Sequence, residues 1–340
     1  MVVRVAVNGF GTIGKRVADA VRRQPDLELV GVAKTRPSFE AEIAARRGYP
    51  LYVAGGGKVE EFRAAGLSVA GEFPELLKQV DVVVDCAPDK VGRENAKLYQ
   101  EHHLRAIFQG GEKADVAEHS FNALANYGEC LGAERLRVVS CNTTGLARAG
   151  SVLLPRWGVE RWDATIVRRA ADPAEVNKGP INGILPTFKL PSHHGPDVQT
   201  IYPNLAIHTA AVVVPTTLMH VHVNQVRLKQ TPADAEEVVK AFASTRRFRI
   251  FQRWERVDGT PQVMEYARDR GGARPDIMEN VLWRDGLHVE GPQVTFFQAI
   301  HQESIVIPEN IDAIRAMFRL APDAASSMAI TDRTLGLSPD

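Results

Sequence analysis

The chain has 340 residues, of which 44% are hydrophobic and 24% are charged, as is usual for globular proteins. Its 41 Lys and Arg residues balance 41 Asp and Glu residues, so no excess of charge would recruit nucleic acid or a membrane surface. The length predicts two domains. Cys86, Cys130 and Cys141 are too few and too irregularly spaced for a disulfide framework or a zinc cluster, and no apolar run reaches the roughly 20 residues of a membrane span. We therefore expect a cytoplasmic protein without a bound metal.

The first 140 residues alternate short β-branched segments with amphipathic ones. Strands are predicted at 3–7, 29–33, 82–85, 106–108 and 137–139, and helices at 15–23, 39–47, 73–79 and 92–102. Near-continuous apolar strands joined by helices are typical of a parallel sheet that is covered on both faces. We predict a doubly wound α/β domain over residues 1–139.

The pattern changes after residue 150 to longer strands with alternating side chains. These strands are predicted at 165–169, 212–214, 218–228 and 294–300, with Pro- and Gly-rich loops around 172–204 and 269–276. Such a pattern is typical of a mixed or antiparallel sheet, so we predict an α+β catalytic domain over 140–302. A helix is predicted from Pro308 to Leu320, and we expect 303–340 to pack back on the first domain.

A glycine-rich loop, Asn8-Gly-Phe-Gly-Thr-Ile-Gly14, lies directly between the first predicted strand and the first predicted helix. This G-x-G-x-x-G spacing in a strand–turn–helix context indicates the dinucleotide-binding loop of a Rossmann-type fold. Gly9 permits the tight turn, Gly11 allows the pyrophosphate to approach, and Gly14 allows the helix to pack closely on the strand. We assign these glycines, together with Thr12 and Ile13, to the cofactor site.

The second predicted strand ends in Gly31-Val-Ala-Lys-Thr-Arg36. A NAD-specific fold places Asp or Glu there, to hold the ribose hydroxyls. Lys34 and Thr35 suit the 2′-phosphate of NADP instead, so we predict NADP as the preferred cofactor and NAD as the weaker one. A solvated basic turn is the alternative interpretation, because Lys and Arg are common in loops.

The segment from Ser140 to Thr143 lies between a predicted strand at 136–139 and a predicted helix at 144–154. A thiol at a helix N-terminus has its pKa lowered, but reaching about 7 from about 8.5 needs about 2 kcal/mol and a helix end supplies only about 0.3–1 kcal/mol. We therefore expect a second activator, a histidine. Because aldehyde oxidation requires a thiol beside a hydride acceptor, we predict Cys141 as the nucleophile. An inert buried cysteine is the alternative, and it is the better interpretation of Cys86 and Cys130.

Six motifs follow one another along the chain: Asn8-Gly-Phe-Gly-Thr-Ile-Gly14, Gln109-Gly-Gly-Glu-Lys113, Ser140-Cys-Asn-Thr-Thr-Gly145, Pro191-Ser-His-His-Gly-Pro-Asp197, Pro215-Thr-Thr-Leu-Met-His-Val-His222 and His301-Gln-Glu-Ser304. Together they resemble the archaeal-type, phosphorylating glyceraldehyde-3-phosphate dehydrogenases over nearly the whole chain. The bacterial and eukaryotic branch carries Ser-x-Cys-Thr-Thr-Asn, with its histidine base soon after. Here Asn142 follows the cysteine, and the next histidine is His193.

The resemblance implies the reaction and the assembly. A homotetramer would convert D-glyceraldehyde 3-phosphate, inorganic phosphate and NAD(P)+ to 1,3-bisphosphoglycerate and NAD(P)H, in glycolysis or gluconeogenesis. Cys141 would form a thiohemiacetal, the base would take its hydroxyl proton as hydride leaves, and phosphate would attack the resulting thioester. The alternatives are another acyl-cysteine semialdehyde dehydrogenase and a redox-sensing dinucleotide-binding module.

The resemblance assigns the base to His220. Alternation along the strand places His220 and His222 on one face and cannot choose between them. The resemblance also implies a substrate site at Ser140–Asn142 and His194–Gly195, with cofactor contacts from Gly111, Arg169 and Gln302.

Several further residues supply the converging donors that a phosphate needs. They are His193, His194 and Gly195 in the 191–197 loop, together with Arg168, Arg169, Thr143 and Thr144. Alternatively, the adjacent histidines form a surface metal site or a solvated loop, and one of the two arginines forms an internal ion pair.

Overall fold

The computed structural model describes residues 1–88, 90–109, 111–171 and 179–337. Gly110 of the Gln109–Lys113 motif and residues 172–178 of the predicted 172–204 loop lie outside the described residues. The chain forms two compact units, Met1–Ser140 with Val306–Asp340, and Cys141–Ile305. Within the described ranges, no helix combines the length and the apolar character that crossing a membrane requires.

The first unit contains an eight-stranded sheet in the order β4-β3-β2-β1-β5-β6-β8-β7. Its strands are β1 Val3–Asn8, β2 Leu27–Lys34, β3 Leu51–Val53, β4 Gly71–Glu72, β5 Val82–Asp85, β6 Arg105–Gln109, β7 His119–Phe121 and β8 Arg135–Val138. The helices among them are α1 Gly14–Arg22, α2 Phe39–Arg46, α3 Val59–Ala64, α4 Phe73–Leu77, α5 Val91–Glu101 and α6 Ala123–Asn126. All strand pairs are parallel, which confirms the predicted Rossmann-type sheet.

The second unit contains a mixed sheet in the order β10-β11-β9-β12-β15-β14-β13. Its elements are α7 Cys141–Trp157, β9 Val159–Arg169, β10 Leu185–Pro186, α8 His194–Val198, β11 Ile207–Val214, β12 His220–Leu228, α9 Ala235–Ala243, β13 Phe248–Phe251, α10 Thr260–Asp269, β14 Asn280–Glu290 and β15 Gln293–Ile300. The central strands β9, β12, β15 and β14 pair antiparallel, while β11 joins β9 and β13 joins β14 in parallel. The predicted mixed sheet is confirmed.

Helix α7 lies on the core of the second unit. Leu146, Val152 and Leu153 are fully buried in one cluster with the sheet residues Trp162 and Phe296. The helix begins at Cys141, three residues earlier than the predicted 144–154, and it continues through Pro155 to Trp157. The nucleophile candidate is therefore the first helical residue and does not lie in a loop before the helix.

Two helices at the end of the chain, α11 Ile307–Met317 and α12 Ala324–Leu335, belong to the first unit. Every residue of α11 is buried, including polar ones. Asn310 donates to Gln109 Oε1 over 2.7 Å, and Arg315 forms a pair with Asp26 at 2.8 Å. These partners satisfy polar groups that would otherwise be costly to bury.

Candidate functional site

The dinucleotide loop has the geometry that its glycine spacing predicts. Gly9 has a φ of +90°, and a Cβ there would lie 2.8 Å from the Cys86 backbone. A Cβ at Gly14 would lie 1.8 Å from the carbonyl oxygen of Gly9, whereas a Cβ at Gly11 would meet nothing within 4 Å. Gly9 and Gly14 are thus required by packing inside the unit, and Gly11 leaves open space at the loop. This arrangement fits a bound pyrophosphate.

A carboxylate stands beside Lys34 at the end of β2. Glu40 Oε2, in the first turn of α2, lies 3.6 Å from Lys34 Nζ and accepts a 2.6 Å hydrogen bond from Ser38. Burial alone would raise the pKa of Glu40, but the Ser38 hydrogen bond and the Lys34 charge lower it overall. The chain therefore places an ionised acid and a cation together where the dinucleotide ribose is expected. Sequence reasoning missed Glu40 because it looked for the acid at the strand end.

The Cys141 side chain is half-buried at the first position of α7. Burial raises the pKa of its thiol to about 11, while Arg169, the Asn142 backbone N–H and Arg168 act in the opposite direction. We expected a lowered pKa at this helix end, and that expectation was wrong for the described state because desolvation of the thiolate is the largest effect. The thiol is protonated at neutral pH and needs a partner that takes its proton.

His220 begins β12 and contacts the end of the neighbouring strand β9. Its Nδ1 accepts a 3.0 Å hydrogen bond from the backbone N–H of Arg169. Burial and the charge of Arg169 hold the pKa of His220 well below its ordinary value, so the ring is neutral. Since an imidazole nitrogen that accepts cannot carry the proton, neutral His220 carries it on Nε2.

Arg169 is held by an acidic partner. Its guanidinium forms a buried pair with Glu303 and donates from Nε to Gln302 Oε1 over 2.5 Å. His301 Nε2 lies 2.7 Å from the second Glu303 oxygen. Burial alone would raise the pKa of Glu303, but the His301 hydrogen bond and Arg169 lower it far below the usual carboxyl range. Glu303 was missed by sequence reasoning, although it lies inside the His301–Ser304 motif.

Arg168 differs from its neighbour. Its Nε is buried and, within the described part of the chain, has no hydrogen-bond partner. Its charge lowers the pKa values of His193 and His194, so it lies near the 191–197 loop. A buried guanidinium nitrogen without a partner is suited to an incoming anion.

Most of the other predicted phosphate donors already have partners within the second unit. The Thr143 hydroxyl donates to Asp197 over 2.6 Å, and the Gly195 amide donates to Thr209 Oγ1 over 2.9 Å. His194 is buried with both ring nitrogens in hydrogen bonds, whereas the exposed His193 ring stacks on it at 3.9 Å between centroids. Arg168 and His193 therefore remain the best placed for an external phosphate.

The structure brings one group of predicted residues together in the second unit. They share hydrogen bonds or act on one another's pKa, and they are Cys141, Asn142, Arg168, Arg169, His194, His220 and His222. The predicted cofactor residues Thr12, Ile13, Lys34, Thr35 and Gly111 lie in the first unit, as does Ser140.

Family models match both parts of the chain. One described as "Glyceraldehyde 3-phosphate dehydrogenase, C-terminal domain" matches residues 140–279, and one described as "Dihydrodipicolinate reductase, N-terminus" matches residues 3–113. In fold, the chain is similar to the crystal structure of aspartate semialdehyde dehydrogenase II complexed with ASA from Vibrio cholerae. That likeness has a TM-score of 0.66 and 16% identity, covers 94% of this chain and 99% of that one, and concerns the fold alone.

Relatives named glyceraldehyde-3-phosphate dehydrogenase match this chain over almost its full length. That of Hyperthermus butylicus is 53% identical over 98% of this chain and 97% of its own length, and that of Archaeoglobus fulgidus is 51% identical over 99% and 98%. That of Haloarcula marismortui is 52% identical over 98% of this chain and 94% of its own length. With half of its residues identical to theirs over almost its full length, this chain belongs to the archaeal-type glyceraldehyde-3-phosphate dehydrogenase family.

Proposed function

We propose that this chain is a phosphorylating dehydrogenase that converts D-glyceraldehyde 3-phosphate, inorganic phosphate and NAD(P)+ to 1,3-bisphosphoglycerate and NAD(P)H. The observation that carries the proposal is Cys141. It is a half-buried thiol at the start of α7, close to the cationic side chains of Arg168 and Arg169. The chain that carries it is 53% identical to a protein named glyceraldehyde-3-phosphate dehydrogenase. The first unit would bind the dinucleotide, and the second would bind the substrate and form the acyl-enzyme.

The reaction begins when the Cys141 sulfur adds to the aldehyde carbon. The S–H bond breaks, and the thiol proton passes to the aldehyde oxygen, which becomes the thiohemiacetal hydroxyl. Arg168 and Arg169 favour the thiolate, and so does the Asn142 backbone N–H. A bound nicotinamide dinucleotide would supply the acceptor for the hydride that leaves the thiohemiacetal carbon. Cys141 then holds the acyl group as a thioester, whose carbonyl carbon is attacked by a phosphate oxygen. The C–S bond breaks, the thiolate is restored and an acyl phosphate is released.

His220 is proposed to act on the substrate oxygen. In the described state its Nε2 carries the proton, so it can donate to the carbonyl oxygen while negative charge develops there. To take the proton of the thiohemiacetal hydroxyl, Nε2 must have a free lone pair. The Arg169 N–H contact at Nδ1 then has to give way, and the ring has to lose its Nε2 proton to water and gain one from water at Nδ1. Replacement of His220 by Asn should slow the chemical step by about 10²–10⁴-fold.

Arg168 and His193 are proposed to bind phosphate, either that of the substrate or the attacking inorganic ion. Support comes from the unpartnered Arg168 Nε and from the exposed position of His193. A role for Asn142, Thr143, His194 or Gly195 would be to shape this site, since each already makes a hydrogen bond within the unit. Arg169 and Gln302, which bond to each other, are proposed to face the cofactor.

NADP is the proposed preferred cofactor, with NAD as the weaker one. Lys34 would bind the 2′-phosphate, and Thr35 would contribute a hydroxyl. Glu40 bears on this choice because its carboxylate repels a phosphate and accepts hydrogen bonds from ribose hydroxyls. The preference for NADP should therefore be moderate.

A cytoplasmic homotetramer is the proposed form of the enzyme. Five large apolar side chains are exposed in the segment 181–190, namely Ile181, Ile184, Leu185, Phe188 and Leu190. Exposed apolar groups concentrated in one segment favour burial against another copy of the chain. Light scattering at several protein concentrations measures the assembly directly.

One assay tests the activity itself. Purified protein is given glyceraldehyde 3-phosphate and either NADP or NAD, with and without inorganic phosphate. We expect reduced cofactor to accumulate only with phosphate present, apart from a first stoichiometric turnover. Equal steady rates without phosphate, or turnover with aspartate semialdehyde in place of glyceraldehyde 3-phosphate, would contradict the proposal.

A further inference from the structure

A chain of buried hydrogen bonds crosses the second unit and passes through Asn142. Its members lie on β14, β15, β12, α7, α8, the loop before α8 and β11, and they are Asn280, Gln298, His222, Asn142, His194, Ser192 and Thr209. Each is 3% exposed or less, so water does not compete for these bonds. Three of the seven were not among the predicted site residues or the resemblance motifs: Asn280, Gln298 and Thr209.

The first half of this hydrogen-bond network, from Asn280 to Asn142, is anchored by a backbone carbonyl. Asn280 Nδ2 donates to Gly145 O at 2.8 Å, and because this carbonyl only accepts, the orientation of the Asn280 amide is set. The same nitrogen lies 3.0 Å from Gln298 Oε1, so Gln298 directs its Nε2 to His222 Nδ1, also at 3.0 Å. His222 must therefore accept at Nδ1 and carry its proton on Nε2, which lies 2.8 Å from Asn142 Oδ1.

The second half is anchored independently. The Thr209 hydroxyl donates to Ser192 O at 3.0 Å, so Thr209 Oγ1 accepts from the Ser192 hydroxyl at 2.8 Å. Ser192 Oγ then accepts from His194 Nδ1 at 3.0 Å, which leaves His194 Nε2 as an acceptor for Asn142 Nδ2 at 3.3 Å. The two halves require the same orientation of the Asn142 amide.

Asn142 connects this network to the reactive thiol. It follows Cys141 in the first turn of α7, and its backbone N–H lowers the thiol pKa. We propose that His222, Gln298 and Asn280 are positioning residues, which hold the Asn142 side chain and thereby keep its backbone N–H directed at the Cys141 sulfur. This inference rests on the proposed role of Cys141 as nucleophile, and it gives His222 a task distinct from that of His220.

Both imidazoles in the network remain neutral around pH 7. Burial lowers the pKa of His222 to about 3 and that of His194 to about 2. The titratable and charged groups that face His194 are His193, His222, Arg168 and His220, and a positive charge on any of them lowers the His194 pKa. Neutral rings keep one donor and one acceptor each, which is what a chain with a single direction requires.

The tautomers are measured by long-range ¹H–¹⁵N correlation spectra of the whole protein labelled at histidine. Signals are assigned by comparison with single-histidine variants. We expect His222 as the Nε2–H tautomer and His194 as the Nδ1–H tautomer, both unchanged between pH values of about 6 and 8. The opposite tautomer at either ring, or protonation of either ring in that range, overturns the proposal. This readout requires neither substrate nor cofactor.

Variants test the positioning role. Gln298→Glu presents acceptors at both ends, which forces a proton onto His222 Nδ1, and His222→Leu removes the contact with Asn142. Each should slow alkylation of Cys141 by iodoacetamide about tenfold at fixed pH and lower kcat by roughly 10–100-fold, with a much smaller change in KM. His222→Gln keeps a donor near the Nε2 position, so its alkylation rate and its kcat should be much closer to the wild-type values than those of His222→Leu. Gln225→Glu on β12 and His208→Leu on β11 are matched controls, because both side chains are exposed.

Thermal unfolding verifies that each variant is folded before its rates are compared. Wild-type alkylation and turnover rates in folded His222→Leu and Gln298→Glu would overturn the proposal. An equal loss in His222→Gln and His222→Leu would do so too, because the donor to Asn142 would then be irrelevant. A further outcome is that the tautomers and the alkylation rates agree with these expectations while the wild-type protein lacks phosphate-dependent turnover. In that case the positioning role stands and the proposed function fails.

Discussion

Single residues at the site differ in how well the sequence identified them. Cys141 was a strong candidate because a thiol between a strand and a helix, in a chain with a dinucleotide loop, has the setting that aldehyde oxidation requires. Its environment was not predictable, because the rise in pKa comes from burial, and the charges that oppose it belong to Arg168 and Arg169 on β9. The distinction between His220 and His222 likewise depends on non-local partners, Arg169 in one case and Gln298 in the other.

The raised pKa of Cys141 predicts how its reactivity depends on pH. With a pKa of about 11 the thiol is neutral at pH 7, so the reactive thiolate fraction increases as pH rises towards that value. Alkylation by iodoacetamide, measured without substrate or cofactor, should accelerate about tenfold per pH unit between roughly pH 7 and 9. Cys141→Ser protein gives the background from Cys86 and Cys130. A plateau below about pH 8 would show that the free enzyme already holds a thiolate.

The pair of Lys34 and Glu40 predicts opposite effects on cofactor choice. Lys34→Asp should weaken NADP binding by about 10–150-fold, because a charge-assisted hydrogen bond contributes about 1.5–3 kcal/mol, and NAD binding should hold or improve. Glu40→Gln should strengthen NADP binding up to about tenfold, since it removes a like charge near the 2′-phosphate.

The control for this pair is Glu42→Gln, another first-turn glutamate of α2, which pairs with Arg46 on an exposed surface. The measurement is kcat/KM for both cofactors at fixed ionic strength, because salt screens exposed charges. An unchanged NADP-to-NAD ratio in Lys34→Asp would show that Lys34 does not select the cofactor.

At the scale of elements, the sequence identified those with strong local patterns. The β1 strand follows from a near-continuous apolar segment, and the glycine loop and the start of α1 follow from the glycine spacing. Short strands such as β3, β4 and β7 have only two or three residues and little pattern. Helix α11 was predicted as amphipathic, yet its polar face is also buried, against partners such as Gln109 and Asp26. Those partners are about 200 to 290 residues away, so no local pattern reveals them.

The glycine loop separates a packing role from a binding role. Gly14→Ala should destabilise the protein by about 1–3 kcal/mol and abolish dinucleotide binding, because its Cβ would lie 1.8 Å from Gly9 O and α1 would have to move away from β1. Gly11→Ala should leave the melting temperature nearly unchanged, since no atom lies within 4 Å, and should still weaken dinucleotide binding. Thermal unfolding and calorimetric titration with NADP measure the two effects. Normal NADP affinity in Gly11→Ala would move the pyrophosphate away from this loop.

At the scale of the whole molecule, the division into two sheets was predictable from the change in hydrophobic pattern after residue 150. There, continuous apolar strands are followed by strands with alternating side chains. The parallel sheet and the mixed sheet follow from that change. The strand order of the mixed sheet was not predictable, because it is set by pairings such as β12 with both β9 and β15. These pairings bring Arg169, His220 and Gln298 into contact with side chains distant in the sequence.

The central claim is that the aldehyde is oxidised while it is bound to Cys141. Its most direct test is mass spectrometry of the protein after brief mixing with glyceraldehyde 3-phosphate and NADP, in the absence of inorganic phosphate, followed by an acid quench. We predict one 3-phosphoglyceroyl group per chain, located by peptide mapping on Cys141 and absent from Cys141→Ser. Inorganic phosphate that is added before the quench should release this group as acyl phosphate. Reduced NADP formed without any acyl group on the protein, or an acyl group on a different residue, would contradict the account.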